Sequence, residues 1–176
     1  MQPLTELYNP PHLRLCVPQM QDAGPLFTLI QREKARLRHT MPWPDSVTQV
    51  SDSLTTIEQN RQAFSRGQSA MYLIFWDEEL VGVVSFNTLI DGEGVIGYWI
   101  SSAAEGKGIA FMAVNTLIDN WRRSGGLTRF VIRCSVENPR SNRLAQRLGF
   151  TFSERAPQAE RIGARVYDQN IYRYRV

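Results

Sequence analysis

This 176-residue sequence predicts an α+β (mixed α/β) domain, a sheet with helices packed on it. Three observations carry that expectation. Taken in order, the residues read as strand, two helices, three strands, helix, strand, helix and two strands, which is the pattern of one sheet carrying helices. The strands Ala70–Trp76 and Leu80–Asn87 are separated only by Asp77-Glu78-Glu79, so they form an antiparallel hairpin. From Gly94 an apolar strand, GVIGYWI, passes through the polar turn SSAAEGKGIA into a helix. Its apolar residues Ala110, Phe111, Val114, Leu117, Ile118 and Trp121 keep the three-and-four spacing of one buried face.

The bulk numbers bound the function. With 43% apolar and 21% charged residues, the chain is expected to fold as a single domain over 1–176. A formal charge of +3, with arginines spread through the second half and no basic tract, argues against direct nucleic-acid binding. The longest apolar run, AMYLIFW, is far short of the roughly 20 residues that span a bilayer, so no membrane role is expected. Cys16 and Cys134 form no CxxC pair and no signal peptide is evident, which points to a reducing cytoplasm.

Each element has its own signal. MQPLTELYNPP, with three prolines, reads as an extended arm, and His12–Val17 alternates polar and apolar residues as a first strand. Asp22 is placed to cap a helix that turns Leu26, Phe27, Ile30 and Leu37 inward. A second helix, capped by Asp45 or Ser46, turns Val47, Val50, Leu54, Ile57 and Phe64 inward. Between them the prolines of Arg38–Asp45 impose an irregular loop that displays Trp43. After the hairpin, Asp91-Gly92-Glu93-Gly94 turns the chain into the GVIGYWI strand, and Ser124-Gly125-Gly126 ends the following helix. Arg129–Val136 is a strand with Phe130, Ile132, Cys134 and Val136 on one face. Asn138-Pro139 opens a short helix with Leu144, Ala145 and Leu148 inward, and Gly149 closes it. Strands Phe150–Arg155 and Ala164–Tyr174 complete the order.

Two stretches carry chemistry. A glycine turn between a strand and a helix N-terminus leaves backbone N–H groups free in a region of positive potential, which suits a phosphate or pyrophosphate. Gly106 and Gly108 let the backbone approach such a ligand. The turn is not a P-loop, because Lys107 is followed by Gly108 and not by a hydroxyl residue, and GxGxxG is absent. The second stretch, VENPRSNRLAQRLGF, places Asn138, Ser141, Asn142 and Arg143 at a strand end and helix start, where Asn138 also suits plain N-capping.

Together these stretches resemble the GNAT superfamily of acetyl-coenzyme A dependent N-acetyltransferases over essentially the whole chain. That family's loop reads Q/R-x-x-G-x-G/A, and Glu105-Gly106-Lys107-Gly108-Ile109-Ala110 departs from it only at Glu105. Its second motif, N-x-x-S-x-x-[LV]-A-x-[KR]-x-G-F, is matched at Asn138, Ser141, Leu144, Ala145, Arg147, Gly149 and Phe150. MYLIFWDEELVGVVSFN, IGYWI, RFVIRCSVEN and Gln158-Ala159-Glu160 are similar to the RimJ/RimL branch, which acetylates N-terminal amines of ribosomal proteins.

The resemblance implies a mostly antiparallel sheet with one splayed strand pair and flanking helices, and acetyl-coenzyme A as cosubstrate with no metal. Tyr98, Trp99 and Ile100 would pair with the pantetheine arm. Gly106, Lys107, Gly108, Ile109, Ala110 and Phe111 would hold the pyrophosphate, and Asn138 would contact pantetheine. One of Lys107, Arg140, Arg143 and Arg147 would neutralise the 3′-phosphate. Glu160 would act as base for an attacking amine in a ternary complex, and Ser141 would protonate the departing thiolate; without the resemblance Glu160 reads as a solvated loop glutamate. Trp43 and Tyr172 are candidates for the acceptor site, while Trp76, Trp99 and Tyr167 are residues that packing explains equally well. Cys134 reads as packing, since a covalent nucleophile would need a base and exposure.

The acceptor implied is a protein N-terminus, such as that of an acidic ribosomal protein. The alternatives are a small amine (polyamine, amino acid or aminoglycoside) and a coenzyme A-binding module without catalysis. The family also admits a homodimer. Because loop contacts to phosphate are mostly backbone amides, Glu105→Gln is expected to leave cofactor affinity unchanged or tighter.

Overall fold

The computed structural model describes residues 4–176, so Met1 to Pro3 of the expected N-terminal arm lie outside the described residues. Its frame is an eight-stranded sheet of order β1-β2-β3-β4-β5-β6-β8-β7. The strands are β1 (Glu6–Asn9), β2 (Leu13–Cys16), β3 (Ala70–Trp76), β4 (Glu79–Ile90), β5 (Glu93–Ile100), β6 (Arg129–Ser135), β7 (Thr151–Ile162) and β8 (Arg165–Arg175). The helices are α1 (Ala23–Leu37), α2 (Val50–Ser65), α3 (Ile109–Ser124) and α4 (Pro139–Arg147). Neighbouring strands run antiparallel except β5 and β6, which are parallel and joined through α3. None of these helices is long and apolar enough to cross a membrane.

Alternation along the central strands sorts the core into two layers. Tyr72, Ile74, Val84, Phe86, Phe130 and Ile132 pack with α3 and with Ala145 of α4. Leu73, Val83 and Trp99 point the other way, onto Leu26, Ile30 and Leu37 of α1 and Ile57 of α2. Inside the first layer the Trp121 indole N–H donates to the Tyr72 hydroxyl at 2.9 Å, which satisfies a polar group that burial would otherwise strand.

Several expectations need correction. The arm contains a strand, because β1 pairs with β2 from Glu6↔Cys16 to Asn9↔Leu13 and buries Leu7. Asp22 does not cap α1 through its side chain; its carboxylate accepts from Gln19 N at 2.7 Å, within a 3-10 turn that precedes the helix. Asp45 and Ser46 lie in another 3-10 turn, and the first turn of α2 is held instead by Asp52, which accepts from the amides of Thr48 and Gln49. Val50, expected inward, is exposed. The segment around Glu160 is not a loop but part of β7.

The feature that makes a site is the partial pairing of β5 with β6. Their register runs from Glu93↔Arg129 to Ile96↔Ile132 and stops, so Gly97 to Ile100 have no β6 partner and the sheet splays. On its other side β5 stays paired with β4 as far as Gly82↔Ile100. A Cβ at Gly82 would lie 2.2 Å from the carbonyl oxygen of Trp99, a backbone atom that cannot step aside. Gly82→Ala is therefore expected to cost about 2 kcal/mol in a denaturant melt, in the middle of the overpacking range, and to displace the free edge of β5.

Candidate active site

A cavity of about 550 Å³ opens at the splay and draws its walls from both sheet faces. On one side its lining includes Tyr98, Cys134, Asn138, Ser141 and Glu160. On the other, Ser85 and Trp99 form a floor beneath Trp43, Ser53 and Asn60, so the cavity runs through the sheet towards α1 and α2. Among the described residues Glu160 is the one carboxylate in this lining.

Local structure explains how these groups meet. Asn138 is the N-cap of α4, and its side-chain oxygen accepts from Ser141 N at 3.3 Å, so the expected capping role is real and it also orients Ser141. The Ser141 hydroxyl lies 3.0 Å from the Tyr98 hydroxyl, where either oxygen can donate. Burial pushes the Tyr98 phenol up and the Ser141 hydrogen bond partly offsets this, so the phenol stays protonated at neutral pH. Burial, followed by the nearby Glu160 charge, raises the Cys134 thiol to about 11, which makes it neutral and a poor nucleophile.

Glu160 reaches the cavity because β7 bulges. Ala156 pairs with Gln169 and Glu160 with Tyr167, so residues 157–159 stand opposite Asp168 alone. The Asp168 carboxylate holds the bulge by accepting from Gln158 N at 2.9 Å and from Arg155 at 2.8 Å. Gln169 donates to a Glu160 carboxylate oxygen at 3.1 Å and leaves the other oxygen available.

The glycine turn borders a second cavity, about 350 Å³, lined by Tyr98, Ile100, Gly106, Gly108, Arg140 and Arg143 among others. Gly106 (φ 79°) and Gly108 (φ 76°) are left-handed, and a Cβ at either would meet nothing within 4 Å. Glycine is thus required here for backbone conformation, and the space above it is open to a ligand. Among the described residues the first amide bonded along α3 is Met112 N, to Gly108 O at 3.0 Å. The amides of Ile109, Ala110 and Phe111 therefore lack an acceptor within the helix. Ala110 and Phe111 line this cavity and are not in the core as expected, whereas Ala113 and Thr116 are buried.

The other expected site residues fall at different distances from this centre. Lys107 is exposed and lies outside both linings. Arg147 lies over the Phe111 ring at 5.2 Å, Arg140 is paired with Glu105, and Arg143 has no carboxylate within ion-pair distance among the described residues. Trp43 borders the cavity with its ring centroid 6.0 Å from that of Trp99. Tyr172, expected at the acceptor site, is in the core: it is buried and its hydroxyl donates to the Asn142 side chain at 2.8 Å. Trp76 stacks on His12, away from the cavity lining. Two features escaped the sequence reading. One is the Tyr98 phenol as partner of Ser141. The other is the bridging role of Asn142, which the sequence marks only as one of the polar groups at the helix start: its side chain joins Ser135 O and Asn138 O to Asn170 and Tyr172 and so ties α4 to β6 and β8. A polar residue on the inward side of a short helix was the available signal for Asn142.

A splayed β5–β6 pair beside a left-handed glycine turn, with Ser141 and Glu160 both in the lining of the opening, is the arrangement expected of an acyl-transfer enzyme. The chain belongs to the GNAT acetyltransferase family, whose domain model matches residues 12–151. It is 38% identical to the ribosomal-protein-serine acetyltransferase of Escherichia coli K12 over 84% of each chain. Among solved structures it is similar to RimL, the ribosomal L7/L12 alpha-N-protein acetyltransferase, in a complex whose coenzyme A forms a disulfide with a cysteine. That match has a TM-score of 0.94 and 31% identity, over 97% of this chain and 98% of the other. It is also similar to the microcin C7 self-immunity acetyltransferase MccE bound to acetyl-CoA and AMP, with a TM-score of 0.90 and 37% identity, over 94% and 93%.

Proposed function

We propose that this acetyltransferase moves the acetyl group of acetyl-coenzyme A to the N-terminal α-amine of a protein, a ribosomal protein foremost, by direct attack in a ternary complex. The observation that carries this reading is Glu160, the lone carboxylate in a cavity whose other polar groups are neutral apart from Arg133. An α-amine has a reference pKa of about 7.7–8.0, so one nearby carboxylate suffices to take its proton. A polyamine would call for several carboxylates along its length, and this lining has one. The hydroxyls and amides of Ser53, Thr56, Asn60, Ser85 and Asn87 suit the backbone of a peptide. An acceptor of this kind belongs in the cytoplasm.

The bound cofactor supplies a thioester carbonyl as the electrophile. On the protein side, the free amides from Gly106 to Phe111 receive the pyrophosphate, with Arg143 as a further cation. The unpaired edge of β5 from Tyr98 to Ile100 offers backbone groups to the pantetheine amides, and Asn138 keeps its side-chain NH2 for the same arm. Glu160 accepts the amine proton, directly or through a water. A β5 backbone N–H meets the developing oxyanion. The Ser141 hydroxyl, backed by the protonated Tyr98 phenol, donates to the departing thiolate. Cys134 lines the same space, which agrees with the coenzyme A–cysteine disulfide of the RimL structure.

Ser141→Ala is expected to lower kcat by about 30-fold and Tyr98→Phe by about 5-fold, with KM for acetyl-coenzyme A little changed, because both act on the leaving group. Steady-state kinetics at saturating acceptor checks this, and equal rises in KM would move both residues to ground-state binding. The reading itself is tested with an acidic peptide beginning in serine, the same peptide with a blocked N-terminus, and spermidine. Acetylation of the free peptide alone supports it; preference for spermidine overturns it. A second reading, a small-molecule amine acceptor, is favoured by the Trp43–Trp99 pair and by likeness to MccE, whose structure holds AMP beside acetyl-CoA.

A further inference from the structure

Glu105 is the loop residue that departs from the family pattern, and it is the centre of a four-residue charge chain. One carboxylate oxygen accepts from Arg36 of α1 at 2.9 Å, and the other is paired with Arg140 of α4. Arg36 is held three ways: to Glu105, to the Ile100 carbonyl at the end of β5, and to Glu33 at 3.0 Å. Glu33 is itself buried and also accepts from the backbone N and the hydroxyl of Ser102, at the start of the cofactor turn. Burial is the largest single influence on Glu33 and opposes its charge, but the hydrogen bonds from Ser102 and Arg36 together outweigh it and hold the carboxyl below its ordinary pKa.

The two halves of this chain differ. The Arg36 half ties α1, the end of β5 and the turn together through five residues, Glu33, Arg36, Ile100, Ser102 and Glu105. The Arg140 half is a single ion pair whose arginine side chain is 65% exposed and lines the cavity beside the glycine turn. An exposed single pair is weak in water and readily exchanged, whereas a partly buried, multiply bonded one is not.

Resting on the reading of this cavity as the cofactor's phosphate site, we propose that Glu105 is an internal stand-in for a cofactor phosphate. Arg140 is parked on Glu105 until coenzyme A arrives and then transfers to a phosphate oxygen, while Arg36, backed by Glu33, stays on Glu105 and neutralises it. Arg36 and Glu33 are thus positioning residues. They let a loop with an acidic first residue hold an anion, because without Arg36 the carboxylate would face the phosphates with its charge uncompensated.

The test is a titration of coenzyme A into Arg36→Gln, Glu105→Gln, Arg140→Gln and their pairwise combinations. Arg36→Gln is expected to raise Kd by at least about tenfold, since an uncompensated like charge is left at the site. Arg36→Gln/Glu105→Gln is expected to return to within about threefold of wild type, because the charge that needed Arg36 is gone. Glu105→Gln alone should bind equally or more tightly. Arg140→Gln should cost more affinity in the Glu105→Gln background, where no ion pair competes for the arginine, than in wild type. A double variant as weak as Arg36→Gln, or an Arg140→Gln with unchanged Kd in both backgrounds, overturns the proposal. If Arg36→Gln fails to fold, as thermal melting would reveal, the Glu105 and Arg140 titrations decide alone. A wild-type chain that binds no coenzyme A would instead sink the cofactor reading on which the proposal rests.

Discussion

Glu160→Gln is expected to lower kcat for acetyl transfer by about a hundredfold to ten-thousandfold, the range for loss of a general base, while Kd for acetyl-coenzyme A stays within about twofold. Glutamine has the same shape, and its carbonyl oxygen can still accept from Gln169, so the bulge of β7 and the outline of the cavity persist. What is lost is the capacity to accept a proton from an amine. Parallel measurements of turnover and of cofactor binding by titration separate these effects. Full activity in the variant would remove Glu160 from the mechanism and leave the amine to lose its proton to solvent. A loss of cofactor affinity as large as the loss of rate would make Glu160 a structural residue of the cavity wall.

The second large effect is expected at the glycine turn. Gly108→Val is expected to weaken acetyl-coenzyme A binding by about 30- to 100-fold, the equivalent of one or two charge-assisted amide–phosphate hydrogen bonds. Gly108 sits at φ 76°, ψ 12° as the N-cap of α3, a conformation that a β-branched residue resists strongly. Forcing it out of that conformation would re-aim the amides that open α3. The open space where a Cβ would sit means that core packing is undisturbed, so the fall in melting temperature should reflect only the strain of the turn while the larger loss appears in binding. Lys107→Ala is the matched control. Its side chain lies outside both cavity linings, and the variant should bind within about threefold of wild type. Equal losses in the two variants would indicate that charge, and not backbone geometry, holds the phosphates.

The parts of the molecule that sequence made legible are those governed by local rules. Two strand-like runs joined by a short turn mark the β3–β4 hairpin, whose turn is only Asp77 and Glu78 because Glu79 pairs with Trp76, and apolar spacing marks α3. Glycines 106 and 108 mark the loop because only the backbone conformation there demands them. The family resemblance singled out Glu160 and Ser141 as candidates, and the structure brings both into the lining of one cavity, which no local pattern encodes. What stayed hidden depends on distant pairings. β1 is a short, half-polar segment that becomes a strand only because β2 offers it an edge. Tyr98 meets Ser141 across 43 positions, and Arg36 meets Glu105 across 69, so neither pair leaves a periodic trace. Tyr172 was misplaced for a related reason. An aromatic on a terminal strand reads the same whether it faces a cleft or the core, and the hydrogen bond to Asn142 decides for the core.

The acceptor proposed for this enzyme is a protein N-terminal α-amine. Isotope-labelled acetyl-coenzyme A, incubated with the enzyme and a ribosomal-protein extract supplemented with polyamines, followed by peptide-level mass spectrometry, tests it most directly. Label is expected on the α-amine of an N-terminal residue, dependent on Glu160. Label confined to polyamines or other small amines, with every protein N-terminus unmodified, would contradict it.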